Sequence, residues 1–257
     1  MVENMFIKHE KYREGAPYVI LLHGLLGSYK CWDALSKHLE DKYTIINCRL
    51  FGHEGNYEII DKNSMLIKEY AKILKTYLED HNIDEVNVIG HSLGGLIGLQ
   101  LAKTTDFVSK MILVNVATKQ KAVKESYKLK LTRVIEKQPE AFIKSHLKKM
   151  FINRTLYKEY FNKLIINEEA YKNYVLDIIN DDYSDFVTYI NKKNVYVVLS
   201  GKIFAKRRRK INKILEKYGY NVLDSSHIKM FNNEGSFVMQ ENAEYFNDYI
   251  KKILEGS

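Results

Sequence analysis

The stretch Val86-Asn87-Val88-Ile89-Gly90-His91-Ser92-Leu93-Gly94-Gly95 decides how this chain is read. Val86, Val88 and Ile89 are β-branched and apolar, the pattern of a buried strand. Glycines then flank Ser92 in the spacing Gly-x-Ser-x-Gly, and from Leu93 onward the pattern turns helical. A strand that gives way to a helix at one serine needs a sharply strained backbone there. It also needs small neighbours, so that strand and helix can approach each other. The spacing predicts Ser92 at the top of a sheet, hydroxyl exposed, over the first turn of a helix.

Outward from this turn, short apolar runs alternate with helical ones. The predicted strands are 5–9, 18–22, 43–47, 86–89, 111–115, 195–199 and 228–231. The predicted helices are 31–39, 64–80, 93–103, 207–218 and 241–254. Such alternation implies an α/β fold with a mostly parallel, doubly wound sheet covered on both faces. From about Thr118 to Lys193 the alternation stops. Apolar residues such as Phe142, Leu147, Met150 and Phe151 fall at helical spacing, and no strand pattern appears. The division expected is a core of residues 1–117 and 194–257 interrupted by a helical insertion, 118–193.

The composition narrows the classes of function. A chain of 257 residues that is 46% hydrophobic can build one large core. No run approaches the roughly 18 apolar residues of a membrane span, so no integral membrane association is expected. Met1-Val2-Glu3-Asn4 lacks the basic start and apolar run of a secretory leader, and Cys31 and Cys48 are too few for a disulfide framework. A cytoplasmic location is expected on both counts. The net charge of +8 is spread along a chain rich in Lys, Asn, Ile and Tyr, without basic motifs interleaved with aromatics. Nucleic acid is therefore not an expected partner.

The residues now in view resemble the α/β-hydrolase fold superfamily, in its esterase, lipase and lactonase branch, over nearly the whole length. The motifs are His23-Gly24-Leu25-Leu26-Gly27-Ser28 after the second strand, Gly52-His53 after the third, and Gly90-His91-Ser92-Leu93-Gly94 as the nucleophile elbow. The resemblance implies that segment 118–193 is a cap. It also implies an oxyanion hole made by the backbone N–H groups of Leu25 and Leu93. Two such donors stabilise a developing oxyanion by ~3 kcal/mol each, whatever their side chains. His23 and His91 are expected to brace loops by hydrogen bonds to backbone, and His53 to sit on an exposed loop.

The partners of Ser92 are the anomaly. The family's acid follows the strand after the cap, where this chain reads Ser200-Gly201-Lys202-Ile203-Phe204, so Phe204 holds the acid position. One strand earlier, where some relatives place the acid, stand Asn115, Ala117 and Thr118. The family's histidine follows the last strand in Gly-His-Phe-x-x-x-Glu. Here the run is Gly235-Ser236-Phe237-Val238-Met239-Gln240-Glu241, and Ser236 takes the place of the base. His227 is the alternative base, with Asp224 or Glu234 as its acid. It precedes the strand 228–231, however, and would lie at the wrong end of a parallel sheet. The basic run Lys206-Arg207-Arg208-Arg209-Lys210 reads as a solvated first helical turn, with a possible role towards an anionic ligand.

The expectation is an esterase-like protein with a degenerate triad. It retains Ser92 and the oxyanion donors, and takes a small-molecule ligand or an ester or acyl substrate under its cap, with weak or altered catalysis. The alternative is an active serine ester hydrolase using a rearranged base such as His227. No cofactor or metal is expected, and oligomeric state is left open.

Overall fold

The computed structural model describes residues 6–8, 15–54, 66–119, 125–201 and 211–256. Seven strands form one sheet: β1 (Phe6–Lys8), β2 (Tyr18–Leu22), β3 (Thr44–Cys48), β4 (Val86–His91), β5 (Val108–Val114), β6 (Val195–Ser200) and β7 (Ile228–Phe231). Their order is β1-β3-β2-β4-β5-β6-β7. Only β1 is antiparallel, paired with β3 at the edge. All five residues of β3 are buried, as are four of the five in β2. A strand hidden on both sides requires cover on both faces of the sheet, which is why these segments read as unbroken apolar runs.

The cover comes from α1 (Asp33–Leu39), α2 (Leu66–Asp80), α3 (Leu93–Thr104), α8 (Ile211–Tyr218), the short α9 (Val238–Glu241) and α10 (Ala243–Glu255). α2 shows how sequence selects the buried side. Leu66, Ile67, Tyr70, Ala71, Leu74, Tyr77 and Leu78 recur every three or four residues, and all are buried. α2 packs on α3, and α1 on α10.

The sheet positions the site through its strand order. From β2 the chain steps outward to β3, then crosses back to β4 on the other side of β2. The loops after β2 and β4 therefore part in opposite directions and leave a crevice at the carboxyl ends of the strands, where such sheets bind ligands. His23-Gly24 and Ser92 lie there.

Among the described residues, four α-helices lie between β5 and β6: α4 (Glu125–Lys137), α5 (Pro139–Met150), α6 (Arg154–Lys163) and α7 (Glu168–Asn180). Pro139 opens α5, where a missing N–H costs nothing. Asn153 caps α6 through the N–H groups of Thr155 and Leu156, and Asn167 caps α7 through that of Ala170. α7 is tied to the core where Ile67 N–H donates to the Asp177 carboxylate at 3.0 Å.

Several boundaries differ from the sequence reading, each for a local reason. β5 starts at Val108 instead of residue 111, because polar Ser109 and Lys110 at its half-exposed start conceal the strand pattern. It ends before Asn115, whose φ of 52° leaves the extended region. Residues 31–39 divide into a 3₁₀ turn, Tyr29–Trp32, and α1. The last helix is broken at Asn242 (φ −145°, ψ 58°), which separates α9 from α10. The first four residues of the helix expected at 207–218 lie outside the described residues.

Candidate active site

Ser92 adopts φ 49° and ψ −114°, a conformation that costs a non-glycine residue about 1–3 kcal/mol. The surroundings impose it. Ser92 N–H donates to the Val114 carbonyl at 2.8 Å, anchoring the turn to β5, and Gly95 N–H closes it onto the Ser92 carbonyl at 3.0 Å. A side chain on Gly94 would strike the Leu22 and His23 carbonyls, and one on Gly95 would strike Val116. The half-buried Ser92 therefore stands where strand, helix and the loop after β2 converge.

That loop is equally fixed. Gly27 N–H donates to Gly24 O at 2.8 Å, and Leu26 sits at φ 61° between them. Gly24 lies directly against the His91 ring, since a Cβ there would meet Nδ1 at 2.6 Å. The loops carrying Leu25 and Ser92 thus touch. Leu93 is the first residue of α3, so its N–H has no carbonyl within the helix to bond.

Three imidazoles surround this point, and burial keeps all of them neutral. His23 Nε2 accepts from Leu50 N–H at 3.2 Å, which leaves Nδ1 to donate to Gly24 O at 2.9 Å. This is the bracing role expected of it. Burial, with the neighbouring His53 and His91, lowers its pKa well below the ordinary value. His53 is fully buried, not exposed as the sequence reading had it. The insertion covers it: Asn167 N–H donates to Gly52 O at 2.8 Å, and Glu54 N–H to Ile165 O at 3.2 Å. Its Nδ1 bonds the Phe51 carbonyl at 2.8 Å, and burial lowers its pKa to about 4. Neither ring nitrogen of His91 has a partner at ordinary hydrogen-bond geometry, and the Ser236 backbone is a polar neighbour. Burial lowers the His91 pKa to about 4 as well, with the Ser236 backbone pulling the other way.

The loop after β7 brings Ser236 to the same end of the sheet. Ser236 N–H donates to Met150 O at 2.6 Å, and its carbonyl accepts from Asn115 Nδ2 at 3.0 Å. Asn115 Nδ2 also donates to Ser200 Oγ at 2.7 Å, while Asn115 Oδ1 accepts from Ser200 N–H at 2.7 Å. Ser200 Oγ in turn donates to Gly235 O at 2.7 Å. These bonds join the ends of β5, β6 and β7 through neutral groups. Next door, Phe237 stacks on Phe151 at 4.6 Å and meets Tyr160 at 4.9 Å and His91 at 5.1 Å. This aromatic group joins the α5–α6 segment to the loop after β7 and to His91. Sequence spacing pointed to neither the Asn115 network nor the aromatic group. Both join residues more than 30 positions apart, and no local period marks them.

His227 is elsewhere. It directly precedes Ile228, which pairs with Val197; Val197 pairs with Leu113 and Leu113 with Gly90. His227 is therefore level with Ile89, about 14 Å across the sheet and about 10 Å along it from Ser92. Its Nδ1 is bonded to Val195 O at 3.0 Å, and its ring stacks on Tyr196 at 4.6 Å. Phe204 and the basic run 206–210 lie outside the described residues.

Two clefts are lined by the loops that follow the strands. One, of 740 Å³, separates Ser28–Lys30 from Leu156, Glu159 and Tyr160 of α6. The other, of 650 Å³, has Asn115, Ser200 and Ser236 along one wall and the end of α5 along the other. Ser92 lines neither of these two clefts. Among the described residues no group of three or more His, Cys, Asp or Glu side chains is placed to hold a metal ion. No helix among them is long and apolar enough to cross a membrane.

Comparison with known proteins agrees with this architecture. The family model described as the alpha/beta hydrolase fold matches residues 17–202. Among solved structures, the chain superposes on the enol-lactonase from Burkholderia xenovorans LB400 with a TM-score of 0.76 at 14% identity, covering 97% of this chain and 96% of that one. It superposes on a thermophilic esterase from Thermogutta terrifontis with a TM-score of 0.74 at 16% identity, covering 98% and 92%. An uncharacterised protein of Mycobacterium bovis is 27% identical over 114 residues, 44% of this chain and 33% of that protein. An abhydrolase domain-containing protein of Schizosaccharomyces pombe is 29% identical over 104 residues, 38% and 37% of the two. The chain thus spans only about a third of the length of these curated relatives.

Proposed function

Because the chain belongs to the α/β-hydrolase family, we propose that it is an esterase-like member that keeps its serine and oxyanion donors but has lost its histidine base. It binds a small, partly apolar ligand between the sheet and the helices of 118–193, which serve as its cap. The observation that carries this reading is the neutral network of Asn115, Ser200 and Ser236 at the end of the sheet. Neither a serine hydroxyl nor an amide takes up a proton near neutral pH, so nothing in that network can accept the Ser92 proton. The strained elbow and its contact with the Leu25 loop support retention of the oxyanion hole. Donors of this kind leave a modest rate when a triad member is missing.

The test is labelling by a fluorophosphonate, which requires an activated serine, together with turnover of p-nitrophenyl acetate. The expected result is negligible labelling. Turnover should fall far below the ordinary enzyme value, on the order of 10 per second, with the remainder lost in Ser92→Ala. Ordinary turnover abolished by that substitution would overturn the reading. His227→Ala separates the alternative of a rearranged base: held by Val195 O and stacked on Tyr196, His227 is expected to leave any residual activity unchanged.

A further inference from the structure

The cleft beside Ser236 has an uneven distribution of charge. Lys148 and Lys149, from the last turn of α5, and Arg154, from the first turn of α6, line one side of it. All three are exposed, and none has a carboxylate partner among the described residues. No Asp or Glu is among the described residues that line this cleft. The carboxylate behind it, Glu241, is already engaged. It accepts from Ile152 N–H at 2.8 Å and Asn153 N–H at 3.0 Å, and also from Gly235 N–H. The opposite wall carries Ser236 beside Asn115 and Ser200, whose side-chain donors are committed to each other and to the Ser236 and Gly235 carbonyls, and Phe151 and Ile152 also line the cleft.

Lysines at the end of α5 complement the helix dipole, which explains their presence but not their convergence with Arg154 of the next helix on one cleft. Unpaired charges of one sign around a concavity raise the local concentration of the opposite charge. The volume, 650 Å³, falls within the usual range for small-molecule sites. We infer that this cleft binds the anionic end of a small molecule, a carboxylate or phosphate carried on an apolar body. Lys148, Lys149 and Arg154 neutralise the charge, and the wall carrying Ser236 receives the rest. The inference deepens the proposed function, since the loop that would carry a catalytic histidine becomes the wall of an anion site.

The experiment is calorimetric titration of the whole protein at low and high salt with phenyl phosphate, phenylacetate and the neutral benzyl alcohol. The two anions are expected to bind at least about tenfold more tightly than benzyl alcohol at low salt, an advantage that shrinks as salt screens the cations. The relative affinity of the two anions tells phosphate from carboxylate as the preferred group. Lys149→Ala with Arg154→Ala should weaken anion binding about tenfold and leave benzyl alcohol unaffected. A charge-matched control, Lys37→Ala with Lys72→Ala at exposed positions elsewhere, should change nothing. Ser236→Asp, which places a repelling charge in the wall without removing a cation, should also weaken anion binding. Equal binding of benzyl alcohol, or equal losses in the control, would overturn the inference. Because the readout is binding, strong fluorophosphonate labelling of Ser92 would defeat the proposed loss of the base and leave the anion site standing. Absent anion binding would do the reverse.

Discussion

At the scale of single residues, Asn115 stands out. Its φ of 52° is tolerated by asparagine better than by most residues, and its amide serves Ser200 twice and Ser236 once. Asn115→Ala is expected to lower stability by about 2–4 kcal/mol, combining lost hydrogen bonds with left-handed strain. Asn115→Gly removes the strain but not the hydrogen-bond loss, so it should recover about 1 kcal/mol of that cost. Urea unfolding of the two variants measures the difference. Equal stabilities would mean that the left-handed backbone costs alanine nothing at this position.

At the scale of elements, the insertion is held to the core by few but specific ties. Glu241, at the end of α9, reaches the first residues after α5 and the loop before α9 at once, through Ile152, Asn153 and Gly235 N–H. A carboxylate that accepts three backbone donors is a charge-assisted clamp. Glu241→Gln keeps the shape but replaces one oxygen with a donor facing those N–H groups. The expected cost is about 1–3 kcal/mol, expressed locally as faster hydrogen exchange at Ile152 and Asn153 while β4 and β5 keep their protection. Unchanged exchange at both amides would show that Glu241 is not what holds Ile152 and Asn153 in place.

At the scale of the whole molecule, the buried imidazoles make stability depend on pH. His53 and His91 titrate at about 4 in the folded chain and near 6.5 when unfolded. A lowered histidine pKa means that the unfolded state binds more protons between these values. Stability is therefore complete above about pH 6.5 and declines as pH falls towards about 4. Between about pH 7.5 and about 5.5 each ring should withdraw about 1.3 kcal/mol. Asp177 opposes this in part: burial raises its folded pKa to about 6, so it favours the folded state as pH falls through that value. The net expectation is a urea midpoint distinctly lower at about pH 5.5, and a shallower dependence in His53→Asn. A midpoint independent of pH over this range would mean that these rings are not buried neutral in solution.

The sequence by itself determined the alternation of strands and helices, the strand-to-helix turn at Ser92, the helical stretch between β5 and β6 and the absence of a histidine from the Gly235–Glu241 run. Each is written in a local signal: a hydrophobic period, a glycine pair, a residue type at a motif position. Strands β2 and β7 were legible to the residue, because apolar runs bounded by polar or turn residues leave little freedom in their limits. Only the tertiary structure decided the rest. It buried His53 under the α6–α7 connection, set His91 against Phe237, joined Asn115 to Ser200 and Ser236, and gathered Lys148, Lys149 and Arg154 around one cleft. Those relations are set by which strand neighbours which and by how the insertion folds back. Burial and charge convergence depend on such long-range packing, which no window of sequence contains.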